Sequence, residues 1–208
     1  MTETPKLLLE KDGPIGWIIF NQPEKRNAVS QEMWELMPDY VHDLATDDAI
    51  RVVVLRGAGD QAFVAGADIS QFKDRRRNMA DEEEYRRISG RGQDALAALS
   101  KPLLAMIHGY CVGGGVSIAI GCDIRIAADD ARFGIPAARL GLGYHYSGME
   151  QLMAENTENF DGISEVGPDD DFAIPIVRGG SRPALRRPLL RTFLPVFSAR
   201  LPVRGEGY

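Results

Sequence analysis

The sequence predicts an α/β domain with crossover connections, and three observations carry that prediction. Short apolar, β-branched runs recur at 51-RVVVLRG-57, 103-LLAMIHGY-110 and 123-DIRIAA-128. Glycine-bearing loops follow them, at 58-AGDQAFVAGADIS-70, at Gly113 to Gly115 and at 132-RFGIPAARLGLGYHYSG-148. Helix-compatible segments lie between them, at 31–46, at 71–99 and after the triple glycine. Strand, Gly-rich loop and helix in repeated order suit a parallel sheet, whose neighbouring strands must be joined by crossovers.

Taken in order, 6-KLLLEKDGPIGWIIF-20 alternates and then runs apolar around Asp12-Gly13, which predicts a β-hairpin. The loop 21-NQPEKRNAVS-30 follows, and Ser30 is placed to cap a helix over 31–46. That helix carries Met33, Leu36, Met37, Tyr40 and Leu44 at helical spacing. Residues 51–57 read as a buried strand and 58–70 as a loop. Residues 71–99 are highly charged, and DEEEYRR sets acids before bases at helical spacing. Lys101-Pro102 ends that helix, 103–110 reads as the next buried strand, and Gly113 to Gly115 open a further helix. Residues 123–128 read as another strand, and 132–148 as a Gly/Pro-rich loop.

Beyond Met153 the composition changes. Residues 154–177 are acidic and poorly periodic; residues 177–208 are rich in arginine and proline and lack lysine. Half of the twelve prolines fall beyond residue 167, which forbids a long helix there. The chain is therefore expected to divide into a core over 1–153 and a mostly irregular tail over 154–208.

At 208 residues, a single domain, or one with a tail, is the expectation. Hydrophobic residues at 44% and charged residues at 26% are ordinary for a soluble globular protein. A net charge of −6 argues against general binding to nucleic acid or to a bilayer surface, both of which reward basic surfaces. The start, MTETPKLLLEKDG, lacks the pattern of a signal peptide, and no apolar run is long enough to span a bilayer. A cytoplasmic location is expected. Cys111 and Cys122 sit in apolar surroundings and read as buried thiols, while His42, His108 and His145 are scattered. No metal site is expected.

Two glycine loops are candidates for chemistry: Ala65-Gly66-Ala67-Asp68 and Gly113-Gly114-Gly115. Such loops either shape a turn after a strand or aim bare N–H groups at one point, and two converging N–H groups make an oxyanion hole. A following helix adds the positive end of its dipole. Phosphate-binding glycine motifs fit poorly, since neither Gly57-x-Gly59 nor the triple glycine continues into GxGxxG, and no Gly-Lys-Ser/Thr occurs. A GxSxG nucleophile elbow is also absent; Ser117 lies in GVSIA.

Together, NQPEKRNAVS, AFVAGADIS and KPLLAMIHGYCVGGGVSIAIGCDIRIAADDARFGIPAARLGLG resemble the crotonase (enoyl-CoA hydratase/isomerase) superfamily over roughly residues 6–153. The resemblance implies a crotonase-like spiral core of repeated ββα units that binds an acyl-coenzyme A thioester as substrate, with no permanently bound cofactor. It implies a homotrimer or hexamer. It also implies that the N–H groups of Ala67 and Gly114 hold the thioester oxygen. Coenzyme A would lie against the loop from Lys25 through Arg26 to Ala28, and against Ala65, Asp68, Ile69 and Ser70. Lys25 and Arg26 read either as phosphate contacts or as solvated charges, and Asp68 reads as a helix-start or loop-fixing residue rather than as a catalyst.

Departures from the family pattern bear on the reaction. Hydratases of the family carry one glutamate two residues after the triple glycine, where this chain has Ser117. They carry a second just after the Gly-x-Pro turn, where it has Ala137. Adding water needs a base and an acid, and neither residue supplies them. Tyr144, within Gly141-x-x-Tyr-x-x-Ser147-Gly148, is similar to the tyrosine of family decarboxylases that act on methylmalonyl-CoA. Tyr144 then either orients a leaving carboxylate or packs, and His145 either transfers a proton or lies on the surface. The segment after residue 153 departs from the family's wording altogether, and a shifted reading frame is one expectation for it.

Overall fold

A computed structural model of the chain describes residues 4–68, 70 and 79–135. In it β1 (Leu7–Asp12) and β2 (Ile15–Phe20) pair antiparallel, as the hairpin pattern predicts. Strand β3 (Val52–Gly57) joins β2 in parallel. A short strand β4 (Ala62–Val64) follows it, and then β5 (Leu103–Ile107) and β6 (Tyr110–Val112). The last described pair is β7 (Ile124–Ala127) and β8 (Arg132–Gly134). The long strands make a five-stranded sheet ordered β1-β2-β3-β5-β7, and the short ones a parallel three-stranded sheet ordered β4-β6-β8.

Each short strand follows a long one after a brief corner, so successive pairs feed both sheets. Helix α1 (Gln31–Thr46) lies between β2 and β3, α2 (Met79–Ala98) follows β4, and α3 (Gly114–Ile120) follows β6. This is the spiral of repeated ββα units that the resemblance implies.

Three expectations are corrected. Residues 58–70 are not all loop, because they contain β4; residues 103–110 are not one strand, because they bend into β5 and β6; and 132–148 begins with β8. Three-residue strands are too short to display a two-residue alternation. The bend at His108-Gly109 has its own cause. Gly109 has φ of 53°, and a Cβ there would overlap the carbonyl of Gln61.

Alternate residues of the large sheet, among them Leu7, Ile18, Phe20, Val53, Leu55, Leu103 and Ile107, are buried in one cluster with α1. Helix α1 contributes Met33, Trp34, Met37, Val41 and Leu44, and Ser30 caps it by accepting from the N–H of Met33 at 3.3 Å. At its other end Lys101 Nζ donates to the carbonyls of Leu44 (2.7 Å) and Asp47 (2.6 Å), fastening the helix to the entry of β5. Among the described residues no helix is long and apolar enough to cross a membrane.

Candidate active site

The loop before α1 is fixed by Asn27, a buried residue in the left-handed region (φ 55°), which asparagine tolerates better than most. Its Nδ2 donates to the carbonyls of Ala58 (2.9 Å) and Ala62 (2.7 Å), and its Oδ1 accepts from the N–H of Gln22 (3.1 Å). The loop is thereby held against the β3–β4 corner. Its backbone in turn receives the chain that leaves β4. Ala65 N–H donates to the Arg26 carbonyl at 3.0 Å, Val29 N–H to the Gly66 carbonyl at 2.8 Å, and Asp68 N–H to the Val29 carbonyl at 2.9 Å.

This pattern makes Val29 and Ala67 a parallel bridge. In extended chain, successive N–H groups point to opposite sides. Asp68 N–H points at Val29, so Ala67 N–H points away from it, and it donates to no acceptor among the described residues.

The triple glycine lies on that other side. Gly113, with φ of 55°, caps α3, and its N–H donates to the Gly134 carbonyl at 2.8 Å. Its carbonyl accepts from Val116 (3.0 Å) and Ser117 (3.2 Å). Gly114 is the first helical residue, so its N–H has no intrahelical partner. A Cβ built on Gly114 would stand 3.9 Å from the Ala67 nitrogen and 3.8 Å from the Gly66 carbonyl carbon. The two loops therefore bring the Ala67 and Gly114 peptides side by side, with neither N–H committed to an acceptor among the described residues.

Asp68, next to Ala67, is 5% exposed and fully bonded. Its Oδ2 accepts from Gln22 Nε2 (3.1 Å) and Lys25 Nζ (2.9 Å). Its Oδ1 accepts from the Ser70 N–H (3.1 Å) and hydroxyl (2.6 Å). Burial pushes the carboxyl pKa up, but the bonds from Ser70, Lys25 and Gln22 outweigh it and hold the group down at about 2. The carboxylate favours the folded chain above its ordinary unfolded pKa, and that contribution is lost as pH falls through about 2.

Lys25, read from sequence as a phosphate contact or a solvated charge, is an ion-pair partner of Asp68 and donates to Ser70 Oγ as well (2.8 Å). Arg26 is exposed; its guanidinium carbon stands 4.8 Å from the centre of the Tyr110 ring, and that of Arg132 stands 5.9 Å from it. Ala28 is buried and Ala65 half-buried beside them. Ser117 is half-buried on α3. Ile69, Ala137, Tyr144 and His145 lie outside the described residues, as does the whole segment 154–208.

Gln22, Tyr110 and Arg132 belong to this region although no sequence motif marks them, and Asn27, within the loop expected to meet coenzyme A, proves to be its buried anchor. Cys111 and Cys122 are free buried thiols, as expected, and burial pushes each up to about 12. Among the described residues no cluster of His, Cys, Asp and Glu is arranged to hold a metal.

The enoyl-CoA hydratase/isomerase family profile matches residues 10–155. A short-chain-enoyl-CoA hydratase of Clostridium acetobutylicum is 35% identical over 150 residues, covering 72% of this chain and 57% of the relative. A hydroxycinnamoyl-CoA hydratase-lyase of Pseudomonas fluorescens is 38% identical, covering 67% of this chain and 51% of the relative. The crystal structure of an enoyl-CoA hydratase/carnithine racemase from Magnetospirillum magneticum superposes with a TM-score of 0.69 at 33% identity, covering 74% of this chain and 57% of that one. The chain thus spans little more than half the length of the curated relatives it matches.

Proposed function

The chain belongs to the enoyl-CoA hydratase/isomerase family, and on that footing we propose that it binds an acyl-coenzyme A thioester and stabilises the enolate formed from it. The observation that carries this reading is the pairing of the Ala67 and Gly114 peptides, each with an uncommitted N–H among the described residues. The thioester oxygen accepts both N–H bonds. They strengthen as negative charge moves onto that oxygen, so they lower the barrier more than they tighten substrate binding. Coenzyme A lies along Lys25–Ala28, Ala65 and Asp68–Ser70. Arg26 rather than Lys25 meets a phosphate, because the Lys25 ammonium is engaged by Asp68 and Ser70. The corresponding assembly is a homotrimer or hexamer.

The reaction is a lyase reaction that does without the two glutamates. Hydration needs a base for water and an acid for the α-carbon. Ser117 stands on α3 at the first of these positions, and Asp68, the carboxylate that follows the Ala67 donor in the chain, is saturated with hydrogen bonds. These observations favour a second, narrower reading, decarboxylation of a malonyl-type thioester. The bond from the α-carbon to the carboxylate breaks, CO₂ leaves, and the electron pair passes into the enolate held by the two N–H groups. The α-carbon then takes up a proton. Tyr144 orients the departing carboxylate, and His145 delivers the proton.

Two assays test both readings. Crotonyl-CoA is expected to be hydrated at a rate near background; rapid hydration would overturn the reading that hydration chemistry is lost with the two glutamates. Malonyl-CoA or methylmalonyl-CoA is expected to release CO₂, more slowly in Tyr144→Phe. Binding of acetyl-CoA without turnover of any of these thioesters would instead mark a non-catalytic binder.

A further inference from the structure

The Asp68 carboxylate has no part in the chemistry above, yet it is buried and accepts four hydrogen bonds. Gln22 and Lys25 come from the segment before α1, and Ser70 lies two residues on from Asp68 in the loop that carries Ala67. The carboxylate therefore ties those two stretches of chain together at the residue that follows the proposed donor.

Resting on the reading of Ala67 as a thioester-oxygen donor, we propose that Asp68 is a positioning residue whose carboxylate sets the direction of the Ala67 N–H. The coupling runs through one peptide plane. Ala67 N–H belongs to the same rigid unit as the Gly66 carbonyl, and in a trans peptide the two point in opposite directions. That carbonyl is aimed by its bond from Val29 N–H at 2.8 Å. The bond holds only while the 22–29 and 65–70 loops stay in register. Gly66, at φ of 92°, has no side chain to fix the register itself. The backbone bond from Asp68 N–H to Val29 and the four bonds to its carboxylate supply what Gly66 lacks. A donor aimed at developing charge must be held closely, since a misplacement of about 1 Å costs on the order of 10²-fold in rate.

The same arrangement assigns Lys25 to the latch rather than to the ligand. Its ammonium neutralises Asp68, and the remaining cation of that turn is Arg26, 4.8 Å from the Tyr110 ring.

The test is the infrared carbonyl band of acetyl-CoA, labelled with ¹³C at the thioester carbon and bound to the full chain. In the wild type the band should fall below its position in free ligand, because two N–H groups polarise the carbonyl. Asp68→Asn, read at saturating acetyl-CoA, should lose the part of that shift that the Ala67 N–H supplies. Lys25→Met, at an exposed position, removes one of the four bonds to the carboxylate together with the bond to Ser70 Oγ, and should lose a smaller part of it. A full shift in either variant overturns the inference, as does weaker acetyl-CoA binding by Lys25→Met with the shift unchanged. A wild-type complex without any shift contradicts the donor role of Ala67 itself, which separates failure of the underlying reading from failure of this one.

Discussion

Gly114→Pro should lower turnover by about 10²- to 10³-fold, some 2.7–4 kcal/mol of transition-state stabilisation, while leaving the fold in place. Proline is well accepted at the first residue of a helix, because the N–H it lacks has no intrahelical partner there. Gly114 occupies that position in α3, and a Cβ built on it meets nothing closer than 3.8 Å. The substitution therefore deletes one proposed donor without breaking a bond among the described residues. Steady-state rates on the thioester that the wild type turns over provide the measurement, with a thermal melt as control. An unchanged rate would remove Gly114 from the hole.

One residue further on, a single methyl has the opposite effect. Gly115→Ala should destabilise the chain by about 3 kcal/mol, a fall of roughly 6–12 °C in melting temperature for a domain of this size. A Cβ on Gly115 would overlap the Val64 carbonyl oxygen and stand 3.0 Å from both the carbon of that carbonyl and the Val64 Cβ. Val64 is 0% exposed within β4, so neither backbone nor side chain has room to yield. A melt within a degree or two of wild type would contradict the flush seating of α3 on β4. The adjacent glycines thus serve different ends: Gly115 for packing, Gly114 for an uncovered N–H.

The same contrast separates what was legible in the sequence from what was not. Helix α1 runs over Gln31–Thr46 as predicted, because Ser30 caps it and apolar residues recur over about three turns. Strands β3 and β7 are visible as β-branched runs. The second sheet is not legible as a sheet, because its strands have three residues each: β4 and β8 lie in stretches that glycine marks as loops, and β6 begins within what reads as the end of the strand before it. Of the site, Ala67 and Gly114 are placed by resemblance, not by any property of their side chains. The Asp68 latch was out of reach, since Gln22 lies 46 residues and Lys25 43 residues from it in sequence. Only the fold brings them together, and so a lysine that reads as a solvated charge or a phosphate contact is in fact an ion-pair partner.

Two peptide N–H groups are proposed to hold one oxygen atom, and a crystal structure of the chain with acetyl-CoA bound tests this most directly. The predicted result is a thioester oxygen about 2.7–3.1 Å from both the Ala67 and the Gly114 nitrogens. A thioester bound elsewhere, or with its oxygen beyond hydrogen-bonding distance of either nitrogen, would contradict it.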